Sequence, residues 1–207
     1  MIVTKITELS KSRIQITTDE EFAFVLYKGE LRFYHLAEGQ EIPEPIYKEL
    51  MEQVLPKRAK LRAMNLLKAR PYTVRQLTDK LKQGGYPDSI VEKAVSYVKS
   101  YGYLDDRRYT SDYTETYKTS KSRAQIKNSL LQKGIDKQII EECMEEIYAD
   151  DTNDLEREQI NRYIKKKDFN VADASFEEKQ KFSAFLYRKG FQIDAIRNAL
   201  SLDITSI

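Results

Sequence analysis

The chain repeats itself, and that limits the folds open to it. Shifted forward by 49 positions, residues 73–98 fall on 122–147 without a gap. Leu77 lands on Ile126, Leu81 on Leu130, Gly85 on Gly134, Tyr86 on Ile135, Ile90 on Ile139, Ala94 on Cys143 and Val98 on Ile147. A more degenerate third copy follows at a further shift of 56, where Phe182, Leu186, Gly190, Phe191, Ala195 and Ala199 take the same places. Serial copies of one supersecondary unit predict an extended array with a long surface, suited to gripping another polymer.

The copies carry matching punctuation. Thr73-Val74-Arg75-Gln76 reads as a capping box, in which the hydroxyl accepts from a free backbone N–H and the Gln reaches back. Ser122-Arg123-Ala124-Gln125 is the same device in register, and Ser175-Phe176-Glu177-Glu178 supplies it slightly earlier in the third copy. The glycines at 85, 134 and 190 each stand where a middle helix needs a left-handed residue to end. Each copy therefore reads as three helices in about fifty residues. In the first copy the opening helix spans roughly 57–69, with Leu61, Met64, Leu67 and Lys68 spaced for one face, and Pro87 suits the first position of the third helix.

The start of the chain follows a different period. Ile2 to Ile6, Arg13 to Thr17 and Phe22 to Tyr27 favour β-branched or apolar residues, with turns at Ser10-Lys11-Ser12 and Asp19-Glu20-Glu21. Lys28 to Leu36 fits a further hairpin or one to two helical turns, and a helix is predicted from about Pro45 to Val54. Pro56 reads as a boundary. The expected division is 1–55 for a β element and connecting helix, 56–104, 105–150 and 151–207 for three three-helix repeats, with Asp150 to Asp154 an acidic connector.

Several function classes are disfavoured. One cysteine cannot form an internal disulfide, and one cysteine with one histidine argues against a protein-only zinc site. No G-x-x-x-x-G-K-S/T loop and no G-x-G-x-x-G is present. The longest strongly apolar run, Phe22 to Tyr27, is too short to span a bilayer, and Met1 to Lys5 lacks the layout of a secretory signal. A cytoplasmic protein without cofactor, and a monomer, is the expectation.

Charge is segregated. Residues 57–83 hold nine Lys or Arg against Asp79, a net +8, while 141–158 hold nine Asp or Glu against Arg157, a net −8. A molecule so divided can lay a basic face on a polyanion and an acidic face on a basic partner, although either stretch could also be an ordinary solvated helix face. Arg58 and Arg62 share a helical face beside Lys57, and Arg70, Arg75, Lys80 and Lys82 follow. Arg123 and Lys127 extend the pattern into the second copy. Basic side chains from two helices of one bundle can converge on phosphates, with binding that weakens steeply in salt.

At Gly102-Tyr103-Leu104-Asp105-Asp106-Arg107-Arg108-Tyr109 the chain resembles the G-Y-L-D-D-x-R-F/Y signature of RecX regulatory proteins. Arg70-Pro71-Tyr72-Thr73 with Leu77 and Leu81 is similar to that family's first repeat, Lys133-Gly134-Ile135 to its second and Phe185 to Phe191 to its third. The similarity covers about residues 57–200, with the blocks in the family's order. It departs at Thr119-Ser120-Lys121-Ser122, where many members carry a glycine. The resemblance implies three tandem three-helix repeats in a curved, elongated body. It also implies a modulator that lies in the groove of the RecA recombinase filament and inhibits ATP hydrolysis, strand exchange and coprotease activity, in recombination, repair and the SOS response.

Single residues divide between structural and functional readings. Asp105 and Asp106 could hold a metal or act as acid and base, but at a helix start Asp caps the first turn and meets the positive dipole end. Arg107 and Arg108 in that turn are candidates for partner contact, against pairing with carboxylates. Cys143 reads as a buried thiol in a core position, and His35 as structural or exposed. Tyr86, Tyr97, Tyr103 and Tyr109 read as inter-helix packing before base stacking.

The resulting expectation is a mainly α chain, non-enzymatic, contacting RecA filaments and weakly, in a salt-sensitive way, single- and double-stranded DNA. The contact set is Lys57, Arg58, Arg62, Arg70, Arg75, Lys80, Lys82, Arg107, Arg108, Arg123 and Lys127, with caps at Thr73, Gln76, Asp105, Ser122 and Gln125. The alternatives are a DNA-binding transcription factor acting without RecA and, least favoured, a nuclease built on Asp105 and Asp106.

Overall fold

The computed structural model of the chain describes residues 1–19, 23–149 and 154–202. Residues 20 and 21 of the expected turn, Phe22, and residues 150–153 of the acidic connector lie outside them. Among the described residues the fold is mainly helical, with one small antiparallel sheet at the N-terminal end. It divides into two compact units, Met1–Asp105 and Asp106–Ile207.

The first unit opens with β1 (Val3–Glu8), β2 (Arg13–Thr18) and β3 (Ala23–Tyr27), in sheet order β1-β2-β3. Alternation sorts the two faces of the hairpin. Ile14, Ile16, Phe24 and Leu26 join the hydrophobic core, while Arg13 and Tyr27 sit directly opposite each other on the other face. The ambiguous segment after β3 is a short helix, α1 (Lys28–Phe33).

Next come α2 (Glu44–Glu49), a π turn (Leu50–Val54) and α3 (Leu55–Ala69), joined end to end. The chain thus stays helical through Pro56 instead of breaking there. The wider turn is the reason: the Leu55 amide donates to the Leu50 carbonyl, so the ladder is already displaced where proline has no N–H to give.

α4 (Val74–Gln83) and α5 (Asp88–Ser100) complete the first repeat, with Pro87 in the cap position just before α5. The buried face of α3 is Leu55, Pro56, Ala59 and Ala63, and Leu61, expected inside, is 58% exposed. The alanines let α3 lie close to α5, and Leu61 points about 200° round the helix from Ala59. Sheet and repeat share one core, in which Val3, Ile16 and Leu26 join Leu77, Leu81 and Ala94.

The second unit holds α6 (Asp106–Tyr117), α7 (Arg123–Gln132), α8 (Lys137–Tyr148), α9 (Asp154–Lys166), α10 (Phe176–Arg188) and α11 (Ile193–Leu200). One core gathers Ile126, Leu130, Ile135 and Ile140, and another Ile160, Leu186, Phe191, Ile196 and Leu200. At the start of α8 and α11 the buried residues are Ile140 and Ile196, each one step beyond the aligned Ile139 and Ala195. Cys143 is fully buried, as its core position requires.

The repeated caps form as read. Gln76, Gln125 and Glu178 amides donate to Thr73, Ser122 and Ser175 hydroxyls at 3.2, 3.3 and 3.3 Å, and each side chain reaches back. At the other end of each middle helix, the amides of Tyr86, Ile135 and Phe191 close onto the carbonyls of Leu81, Leu130 and Leu186. Gly190 (φ +85) sits tightly there: a Cβ would meet the Ala124 Cβ at 2.6 Å.

Candidate nucleic-acid interface

The predicted basic residues are not equivalent in three dimensions. Lys57, Arg62 and Arg75 are exposed on α3 and α4, with no ion-pair partner among the described residues. Lys80 is exposed and donates to the Gln83 side chain at 3.1 Å. Lys82 pairs with Asp88 at 3.0 Å. Arg70 lies over the Tyr72 ring at 4.0 Å.

Arg58 is an internal tie rather than an open contact residue. Its guanidinium pairs with Glu30 at the start of α1, donates to the Val25 carbonyl at 3.3 Å, and covers the Tyr27 ring at 4.6 Å. Helical spacing put it on a face with Arg62 but could not show that α1 and β3 would pack over it.

Four cations converge where the sheet meets the first repeat. A cleft of about 460 Å³ is lined by Arg13 and Tyr27 of the sheet, Arg58 and Arg62 of α3, Lys80 of α4, and Tyr86. Burial pushes the Tyr86 phenol above its ordinary value, while the nearby guanidiniums of Arg58, Arg62 and Arg13 pull the other way. Among the described residues no carboxylate lines the cleft. Arg13 and Tyr27 escaped the sequence reading. Their signal was the alternation of β2, which puts Arg13 on the face opposite Ile14 and Ile16, but the register that brings Tyr27 beside it needed the fold.

In the second unit the basic candidates have local partners. Arg107 pairs with Glu142 at 2.8 Å and Glu146 at 2.5 Å, which joins α6 to α8. Arg108 is exposed on α6. Lys127 pairs with Glu141 at 2.7 Å, and that bond holds the Glu141 carboxyl below the ordinary carboxylate range. Arg123 lies over the Tyr148 ring at 4.1 Å. Glu156 accepts from the Gln192 amide at 2.8 Å. Much of the acidic stretch thus has structural work within its own unit.

Asp105 stands immediately before α6 and Asp106 opens it. Among the described residues no group of His, Cys, Asp or Glu is arranged to hold a metal ion. No helix of the described residues is long and apolar enough to cross a membrane. The tyrosines split. Tyr109, Tyr113 and Tyr117 line one side of α6, with successive ring centroids 6.3 and 4.5 Å apart. Tyr103, expected to pack between helices, is 55% exposed, beside Tyr101 at 61%.

Family models for the first, second and third three-helix domains of RecX match residues 59–97, 105–144 and 155–200. A regulatory protein RecX from Caldanaerobacter subterraneus subsp. tengcongensis is 34% identical over 204 residues, 98% of this chain and 100% of that protein. The chain belongs to the RecX family. A regulatory protein RecX from Clostridium tetani is 27% identical over 96% of this chain and 94% of its own length. Among solved structures, a regulatory protein RecX aligns over 98% of this chain and 99% of its own, with TM-score 0.64 and 21% identity. RecX from Lactobacillus salivarius aligns over 72% of this chain and 99% of its own, with TM-score 0.62 and 24% identity. At those identities the two structures speak to the fold.

In this RecX family member the signature segment runs from the end of α5 into α6. Leu104 is buried in the first unit's core, and Arg107 makes the α6–α8 ion pairs. The loop after α6 has its own anchor. Lys121 donates to the Tyr113 hydroxyl at 2.9 Å and lies 3.9 Å from the Tyr117 ring centre.

Proposed function

We propose that the chain binds RecA–DNA filaments and restrains ATP hydrolysis, strand exchange and coprotease activity, and so modulates recombination and repair from the cytoplasm. The observation that carries this reading is the end-to-end match to regulatory protein RecX. The open basic side chains of the first repeat, Lys57, Arg62 and Arg75, suit the DNA phosphates of such a filament. Bridging neighbouring RecA protomers would disfavour the rearrangements that turnover needs, because a ligand favours the state it binds best.

The test is RecA ATP hydrolysis on single-stranded DNA, titrated with this chain at moderate salt. Hydrolysis should fall with added protein. Unchanged hydrolysis, together with tight, sequence-selective binding to bare duplex, would favour a transcription factor instead.

A further inference from the structure

The cleft between the sheet and the first repeat has features that phosphate contact along an open helix face does not require. It is concave, it is built from two different parts of the fold, and it joins cations to rings. We propose that this cleft seats one nucleotide of single-stranded nucleic acid, with the backbone phosphate between Arg13, Arg62 and Lys80 and the base stacked on Tyr27. The proposal deepens the DNA-binding part of the function proposed above and rests on it only there.

The geometry supports each role. Arg13 and Arg62 line the cleft from different elements, one from β2 and one from α3, and neither has an ion-pair partner among the described residues. A phosphodiester held there would meet charge-assisted donors from both elements. Tyr27 is 45% exposed, and Arg58 fixes its ring from one side. Arg58 is itself held by Glu30 and the Val25 carbonyl, so the platform is preorganised. A ring presented this way offers a sequence-tolerant stacking surface. Tyr86 lines the cleft with the arginines, and its phenol, raised by burial, keeps a proton to donate to a phosphate oxygen.

The volume of about 460 Å³ matches a small-molecule-sized occupant. An acidic peptide would also meet the cations, but it would make no use of the aromatic platform. A base does, and this favours nucleic acid.

The experiment is fluorescence anisotropy of a labelled oligothymidylate with this 207-residue chain, in the absence of RecA, across a salt series. Tyr27→Ser should weaken binding by roughly tenfold, and Tyr27→Phe should restore it. Arg13→Gln should lower the salt slope by about 0.7, the loss of one single-strand phosphate contact. Thermal melts of each variant report whether the first unit remains folded. If a Tyr27→Ser chain that melts normally binds as tightly as wild type, the proposal is overturned. Equal losses for Tyr27→Ser and Tyr27→Phe would overturn the stacking role. Displacement by oligoglutamate at matched ionic strength, undiminished in Tyr27→Ser, would point to an acidic peptide and also overturn it. RecA hydrolysis, measured separately, reports on the filament reading. Oligonucleotide binding that depends on Tyr27 without inhibition of hydrolysis would uphold the cleft and sink that reading.

Discussion

The Val25 amide donates to the Gly85 carbonyl at 3.2 Å, and this bond seats the end of α4 against the N-terminal sheet. Gly85 has φ +82, and a Cβ there would lie 2.0 Å from the Val25 Cγ2. The residue that ends the middle helix therefore also allows the sheet to dock, and the basic cleft lies along that junction. Gly85→Ala should destabilise the first unit by about 2 kcal/mol or more, from left-handed strain plus the clash. Val25→Ala in the same chain should recover part of the loss, because it removes the γ-methyls but leaves the backbone strain and the Val25 Cβ, 2.9 Å from the added Cβ. Urea unfolding of the single and double variants measures the coupling.

Ser122 bonds beyond its own cap. Its hydroxyl accepts from the Gln125 amide at 3.3 Å and donates to the Lys189 carbonyl at 2.7 Å. It is buried, so Ser122→Ala would strand both partners. The expected cost is about 2 kcal/mol, against about 1 kcal/mol for Ser175→Ala at the exposed cap of α10. Chemical denaturation of the two variants compares them directly.

The legibility of the sequence was uneven for physical reasons. The repeat, the caps and the helix-ending glycines were visible because each is a local device that recurs at a fixed spacing. The inner face of α3 was not, because Ala59 and Ala63 are buried by the close approach of α5 and carry little hydrophobic signal of their own. The roles of Arg58, Arg107 and Lys127 were hidden for a related reason. Their carboxylate partners, Glu30, Glu142 and Glu141, lie 14 to 35 residues away and meet them only in the fold. Arg13 and Tyr27 became a site only through strand register and the docking of the first repeat.

The basic residues should separate by role. Reversing Lys57, Arg62 and Arg75 to Glu should abolish inhibition of RecA while circular dichroism and melting temperature hold. Arg58→Ala should instead cost about 2 kcal/mol of stability, since it leaves Glu30 unpaired in a half-buried site. Lys82, paired with Asp88, belongs with neither group.

The cap of α10 gives a pH signature. The Ser175 backbone amide holds the Glu178 carboxyl below its ordinary value, with the Ser175 hydroxyl adding to the effect. A depressed carboxylate contributes stability above its unfolded pKa and loses it as pH falls through its folded pKa. Glu178 should therefore support the second unit fully above about pH 4.3, its ordinary value, and lose that support as pH falls further through its lower folded pKa. Glu178→Gln keeps the reach-back bond but cannot titrate. The gap in melting temperature between wild type and variant should narrow on acidification, and a gap independent of pH would exclude this role.

Hydrolysis of ATP by RecA on single-stranded DNA, followed as this chain is added, bears most directly on the regulatory reading. The rate should decline toward a plateau as the chain saturates the filament, and the Lys57, Arg62 and Arg75 reversal should leave it unaffected. A rate that stays constant while the wild-type chain demonstrably occupies the filament would contradict it.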